Sequence, residues 1–339
     1  MGKCAEMKFP ENTRFLLVRT DKIGDVILTT PSITLLKKIY PKAFIGFLCT
    51  SYTKPLLKNN PYIDQFFCID EPETLKKIKS YNFDVSIHFY VDTQSVLLSF
   101  NAKIPIRIGP FSKISALLLN KRIIQQRSKV KKHEAEYNLD LIHFCGKNIE
   151  KTFPEIFLLE NELLEGKSLI NSILKNSEKK PIIIHPGSAG SVQTWPLSFF
   201  IELSHKLASL SEQIIFTGGK GEESILEKAK ITYHSNIHTI TAGQLELREL
   251  ASVIANSKLM ISNSTGPLHI ASALNIPTLS FYPLYPIVTS AKRWGPYSNS
   301  KNNIILTPPQ ETDPLETITV LTAFQASKTI LNLNTSQPK

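Results

Sequence analysis

Short apolar runs separated by longer amphipathic stretches recur along most of this chain. Five lie in the first half, at 15–19 (FLLVR), 44–48 (FIGFL), 65–69 (QFFCI), 85–89 (VSIHF) and 104–108 (IPIRI). A second series starts at 181–185 (PIIIH) and continues at 213–217 (QIIFT), 237–240, 259–262 (LMIS), 278–281 (TLSF) and 303–306 (NIIL). Between them, apolar positions recur at helical spacing over 25–40, 134–144, 197–210, 245–255 and 266–274. Runs this short and this apolar fit strands buried on both faces, and the intervening segments are long enough to be crossover helices. The pattern predicts an α/β chain with two doubly wound parallel sheets. The seam is expected within 161–180, whose end (KNSEKK) is polar and lysine-rich. The expected domains are 1–165 and 175–312, followed by 313–339, whose helix returns toward the first domain. Ligands of doubly wound sheets bind beyond the C-terminal strand ends, so two such domains facing each other would frame a cleft.

Composition narrows this picture. The 339 residues are 42% hydrophobic and 20% charged, enough for an ordinary core in each half. No apolar run approaches the ~18 residues of a membrane span. The start, MGKCAEMKFPENTR, lacks the apolar stretch of a signal peptide. Gly2 is followed by Glu6 where a myristoylation signal has Ser or Thr. Cys4, Cys49, Cys68 and Cys145 form no C-x-x-C pair, as expected for free thiols in a reducing cytoplasm. The net charge of +10 is unevenly spread: residues 1–150 carry 23 Lys/Arg against 14 Asp/Glu, and the remainder 16 against 15. The excess peaks at 121–132 (KRIIQQRSKVKK), with six basic residues and no acid. Such a face either attracts phosphate-rich partners, among them an anionic membrane surface, or simply keeps the protein solvated. No nucleic-acid-binding motif accompanies it, so no nucleic-acid partner is expected.

Candidate chemistry sits at four strand-to-helix junctions. The first is 19–25 (RTDKIGD), where Asp25 either caps a helix or stands as a general base at the strand end. The second is 185–191 (HPGSAGS), in which Gly187 and Ser188 offer backbone N–H groups and a hydroxyl suited to phosphate oxygens; Trp195 beyond it is expected to pack. The third, 217–223 (TGGKGEE), half-matches a dinucleotide fingerprint. It contributes Thr217 and Gly218, with Glu222 either a ribose ligand or a solvated first-turn acid. The fourth is 263–269 (NSTGPLH), where Ser264, Thr265 and Gly266 precede a helix carrying Pro267 and His269 in its first turn. D-x-D, H-E-x-x-H, G-x-S-x-G and Walker A patterns are absent.

In this order and spacing the blocks resemble glycosyltransferase family 9, the heptosyltransferases of bacterial lipopolysaccharide core. The segments RTDKIGDVILTTPSITLLKKIYP, IIIHPGSAGSVQTWPLSFFIEL and LASVIANSKLMISNSTGPLHIASALNIPTLSFY are similar to its three signatures. Shorter likenesses lie at 107–109 (RIG), 132–142 (KHEAEYNLDLI) and 291–296 (AKRWGP), so the resemblance covers roughly 14–310. It implies a GT-B fold, with acceptor on the first Rossmann-like domain and nucleotide sugar on the second. It also implies inverting, metal-independent transfer with no cofactor, from ADP-heptose to a lipid-linked core oligosaccharide, at or near the cytoplasmic membrane face. Asp25 matches the family's base, Glu222 its ribose-binding acid, and Thr265, Gly266 and His269 its diphosphate turn. Lys22, Arg107 and Arg122 are candidate acceptor contacts. Two positions depart from the family: Ser264 stands where many members have Asp, and Gln193 where many have Lys. Lys22, Lys292 or Arg293 could supply the missing cation. Competing readings are a dehydrogenase or sugar-nucleotide epimerase, whose glycine fingerprint would be expected after the first strand, and a binding module without catalysis.

Overall fold

The structure is a computed structural model that describes residues 7–146, 150–175, 179–188, 190, 193–231 and 234–333. It forms two compact units, Met1–Phe157 and Leu158–Lys339. The first contains β1 (Arg14–Val18), β2 (Phe44–Cys49), β3 (Gln65–Cys68), β4 (Val85–His88), β5 (Ile106–Pro110) and β6 (Lys121–Ile123). They pair in parallel, in the order β3-β2-β1-β4-β5-β6. The second contains β7 (Ile182–His185), β8 (Ile214–Phe216), β9 (Ile237–Thr239), β10 (Leu259–Asn263), β11 (Thr278–Phe281) and β12 (Asn303–Leu306). Its order, β12-β11-β10-β7-β8-β9, repeats the first winding strand for strand. In each sheet the direction of winding reverses between the first and fourth strands, β1 beside β4 and β7 beside β10. That reversal opens a crevice at the C-terminal strand ends.

The central strands read as unbroken apolar runs because both their faces are covered. Phe15, Leu16, Leu17 and Val18 are wholly buried, as are Ile182, Ile183 and Ile184. Trp195 anchors the second core, stacked on Phe281 at 4.1 Å with its Nε1 donating to the Ile318 carbonyl at 2.8 Å. The Trp195 indole therefore packs, as the sequence suggested.

Several boundaries differ from the sequence pattern. The single helix expected over 25–40 is two, Ile23–Ile27 and Thr30–Ile39, with Pro31 in the first turn of the second. Proline has no N–H to continue a helix and is at home in a first turn. The stretch expected to hold the seam instead carries the helix Glu160–Ile173, packed on Leu247–Ala255. Their approach needs Gly166, where a β-carbon would lie 2.1 Å from Ser252 Oγ. The terminal segment is a 3-10 turn, Leu315–Thr317, and a helix, Val320–Ile330. Val320, Ala323 and Ile330 of this helix are part of the second core. Cys49, Cys68 and Cys145 are buried free thiols, and Cys4 lies outside the described residues. No helix among the described residues is long and apolar enough to cross a membrane.

Candidate functional site

In the first unit, Arg19 follows β1 and is 2% exposed. A buried guanidinium must be paired. Its Nε donates to Asp21 Oδ1 at 2.7 Å and its Nη2 to Asp25 Oδ1. Its Nη1 lies 3.4 Å from Glu134 Oε1, 3.3 Å from Asn138 Oδ1 and 3.4 Å from the Phe89 carbonyl. Glu134 and Asn138 stand four residues apart on the helix Glu134–His143, a spacing that puts both on one face. Arg127 brings a second guanidinium to Glu134 at 2.5 Å, and the Asn138 amide donates to the Leu28 carbonyl at 3.0 Å. A hydrogen bond from Thr20 Oγ1 to Asp92 Oδ2 at 3.0 Å joins the loops after β1 and β4.

Three carboxylates thus share two guanidinium groups. Burial disfavours charge on Asp25; Arg19 opposes that effect, while Asp21 and Glu134 add to it. The balance holds the Asp25 carboxyl up at about 6. Burial also works against the charge of Arg19, but Asp21, Asp25 and Glu134 outweigh it and raise its pKa. The Asp25 side chain keeps 15% exposure. The helix-cap alternative for Asp25 does not hold: Lys22 occupies the N-cap of Ile23–Ile27, and Asp25 lies in the first turn with Oδ1 turned to Arg19.

The candidate acceptor residues scatter. Lys22 is exposed beside the cluster. Arg107 is occupied by the carbonyls of Leu118 (2.9 Å) and Ile104 (2.5 Å). Arg122 lies exposed on the edge strand β6 with its guanidinium 5.4 Å from the Phe111 ring.

In the second unit, the candidate donor residues converge at the ends of β7, β8 and β10. Asn263 joins these loops: its Oδ1 accepts from the Trp195 N–H at 2.9 Å and its amide donates to the Pro186 carbonyl at 2.7 Å. Gly187 and Ser188 follow, lining a cavity of about 390 Å³ with Gly190, Thr194 and Glu222; Ala189, Ser191 and Val192 lie outside the described residues. Glu222 is buried rather than solvated, and its Oε2 accepts from the Gly219 N–H at 2.8 Å. The same oxygen lies 3.7 Å from His185 Nε2. Burial pushes the His185 imidazole below its ordinary pKa, partly offset by Glu222. Thr217 is buried beneath the loops with Oγ1 3.0 Å from His185 Nδ1, and Gly218 beside it accepts from the Gly243 N–H at 3.1 Å.

At the end of β10, Thr265 sits at the N-cap of the helix Gly266–Ala273 without capping it; its hydroxyl lies 3.0 Å from Ser262 Oγ. First-turn N–H groups have no partner within their own helix, so this terminus is a cradle for anionic oxygens. Ser264 is partly exposed beside it and interacts with the buried Tyr282 hydroxyl, which donates to the Trp294 carbonyl at 2.6 Å. His269 is buried on the first turn. The sequence reading missed Arg19, Arg127, Glu134, Asn138 and Asn263. An arginine ending an apolar run and a Glu/Asn pair at helical spacing were the available signals.

Two parallel six-stranded sheets of identical winding are the architecture of the GT-B fold. The sequence model of glycosyltransferase family 9 (heptosyltransferase) matches residues 73–319, and the chain belongs to that family. A Haemophilus influenzae protein provisionally named a glycosyltransferase is 31% identical, over 87% of this chain and 89% of its own length. Among solved structures, a family 9 glycosyltransferase from Veillonella parvula superposes with a TM-score of 0.86 at 20% identity, covering 97% of this chain and 100% of that one. The E. coli ADP-heptose lipopolysaccharide heptosyltransferase II superposes at 0.81 and 19% identity, covering 95% and 99%.

Proposed function

We propose that this family 9 enzyme transfers heptose or a related sugar from an ADP-sugar to a hydroxyl of a lipopolysaccharide core or similar lipid-linked glycan. The first unit is the acceptor domain and the second the donor domain. The observation that carries the reading is the carboxyl of Asp25, held up at about 6 at the switch point of the first sheet and still partly exposed. A base poised near the working pH is what removal of a sugar-hydroxyl proton requires.

The donor diphosphate rests against the N–H groups and hydroxyls of Gly187, Ser188 and Ser264–Gly266, with Glu222 toward the ribose and His269 supporting the turn. The acceptor oxygen attacks the anomeric carbon from the face opposite the diphosphate and inverts it. The bond to the diphosphate oxygen breaks with its electron pair, and the helix terminus holds the charge that develops there. The acceptor proton passes to Asp25. The E. coli ADP-heptose heptosyltransferase among the structural relatives supports heptose and ADP; the Ser264 and Gln193 departures bear on that same donor.

The direct test is Asp25→Asn, which keeps the size of the side chain and removes its basicity. Turnover with ADP-heptose should fall by ~10²–10⁴ with donor affinity retained. Near-normal turnover in a folded variant would remove Asp25 from the role. Thermal stabilisation by ADP, UDP, GDP and NADH, measured in parallel, tests the donor: the largest shift should come from ADP. No shift from ADP, or a larger one from another nucleotide, would overturn the ADP donor.

A further inference from the structure

Cys49 ends β2 and Cys68 ends β3, and in the parallel pairing of these strands the two are register partners. Register partners project from the same face of a sheet, here the face that carries Phe47 and Phe66. One inter-strand spacing, about 4.8 Å, separates their α-carbons, inside the roughly 4.4–6.8 Å that a disulfide spans. The two thiols interact across that gap. Their hydrogen bond raises Cys49, as burial does, and lowers Cys68; burial and Glu71 work against the second effect and Lys54 works with it. One sulfur of the pair thus keeps its proton while the other is readied to lose one. Both cysteines are buried, but the pair is not deep. Cys68 leads at once into the turn that holds Asp70 and Glu71, and its thiol interacts with the Glu71 carboxylate, whose side chain is 38% exposed. The Cys68 sulfur therefore lies directly beneath a surface group. The turns that follow the two strands are tied together as well, the Ser51 N–H donating to Asp70 Oδ1 at 2.9 Å. Cys145 is a contrast: its Sγ donates to the Leu141 carbonyl at 3.6 Å, and burial pushes its thiol up to about 12.

We propose that Cys49 and Cys68 are a two-thiol oxidation site, which takes hydrogen peroxide as its oxidant and closes to a reversible disulfide across β2 and β3. The Cys68 thiolate attacks one peroxide oxygen and the O–O bond breaks. The departing hydroxide takes up the proton that Cys68 released and leaves as water, with a sulfenic acid remaining on Cys68. The Cys49 sulfur then attacks the Cys68 sulfur, forming the S–S bond and displacing hydroxide, which leaves as a second water with the Cys49 proton. The two thiols give up two electrons, and one peroxide becomes two waters. In a reducing compartment a pair of this kind is open at rest and closes transiently. The inference does not rest on the sugar-transfer reading, since neither cysteine belongs to the Asp25 cluster or to the donor loops.

Peptide mapping of the full chain after treatment with a small excess of peroxide tests it. A link between Cys49 and Cys68 that dithiothreitol reverses should form, and two of the four thiols titratable after denaturation should disappear. Cys49→Ser should stop at the Cys68 sulfenic acid, captured by dimedone, and Cys68→Ser should leave Cys49 as a thiol. Lys54→Gln should slow the oxidation about threefold and Glu71→Gln quicken it by a similar factor, because their charges act on the Cys68 thiolate with opposite sign. Neither of these two side chains is buried, and circular dichroism would verify the fold of every variant. Four titratable thiols surviving the peroxide would overturn the inference. So would a link made through Cys4 or Cys145 instead, or oxidation of Cys68 beyond the sulfenic acid with no link to Cys49.

Discussion

A β-carbon added at Gly187 would stand 2.0 Å from Oε1 of Glu222. The carboxylate therefore occupies the space that any side chain at position 187 needs. The loop after β7 and the turn after β8 are fitted to each other, and Glu222 is fixed by the Gly219 N–H on its other side.

Gly187→Ala should for that reason act on Glu222. Displacing the carboxylate weakens its hold on a nucleoside, so the Kd for ADP should rise about tenfold, equivalent to ~1.4 kcal/mol. Isothermal titration would read this directly. If Glu222 binds the ribose, Glu222→Gln should weaken ADP by a similar factor, and the double variant should be far from additive because both changes remove one contact. Full additivity would separate the two residues.

The Arg19 cluster leads to a stability prediction. Removing one partner from a buried, hydrogen-bonded charge network leaves the remaining charges uncompensated, at a cost of about 3–5 kcal/mol. Arg19→Leu should lower the urea midpoint accordingly. Arg19→Lys should recover only part of the loss, because one ammonium group cannot reach Asp21, Asp25 and Glu134 in the directions the guanidinium fork serves. An unchanged midpoint in Arg19→Leu would show that the network contributes nothing to the fold.

Asp25 sets the sign of a pH dependence. Its carboxyl is raised to about 6, so it is largely protonated at pH 5 and ionised at pH 7. As a base it works only when ionised: kcat/KM should climb with pH through about 6 and level off above it. Stability runs the other way for this group. Between the ordinary carboxylate value and about 6 the native state holds a proton that the unfolded chain has released, so its contribution declines as pH rises through that window. Arg19→Lys, by weakening the opposing positive charge, should move the acidic limb of the rate profile upward. A pH-independent kcat/KM between 5 and 7 would count against Asp25 as the base.

Legibility in the sequence followed burial. Strands covered on both faces, such as β1 and β7, announce themselves as continuous apolar runs, and all four strand-to-helix junctions chosen for chemistry lie at C-terminal strand ends. β6 escaped notice because it is an exposed three-residue edge strand within the basic stretch, with nothing in its pattern to separate it from a loop. The part played by Arg19 is not legible in the sequence, since sequence alone does not tell a buried arginine from a solvated one. Its partner Glu134 lies 115 residues away, and only the parallel crossovers bring the two together. Part of the basic stretch also proved not to be a free surface: Arg127, within it, is committed to Glu134.

Asn263 supports a last prediction. Its side chain accepts a hydrogen bond from Trp195 and donates one to Pro186, so it needs a carbonyl on one side and an amide on the other. Asparagine supplies both; aspartate supplies two acceptors and would set an anion against the Pro186 carbonyl. Asn263→Ala leaves a buried N–H and a buried carbonyl without partners, at about 1–3 kcal/mol for each. Asn263→Asp should cost at least as much at neutral pH, although it is nearly isosteric, and should recover in part on acidification, because a protonated carboxyl can donate to Pro186 again. Because the same amide ties the Gly187 loop to the turn that follows β10, both variants should also weaken ADP binding. Chemical denaturation at pH 5 and pH 8 measures the order. An Asn263→Asp protein as stable as wild type at pH 8 would mean that the amide's bond to Pro186 does not hold these loops together.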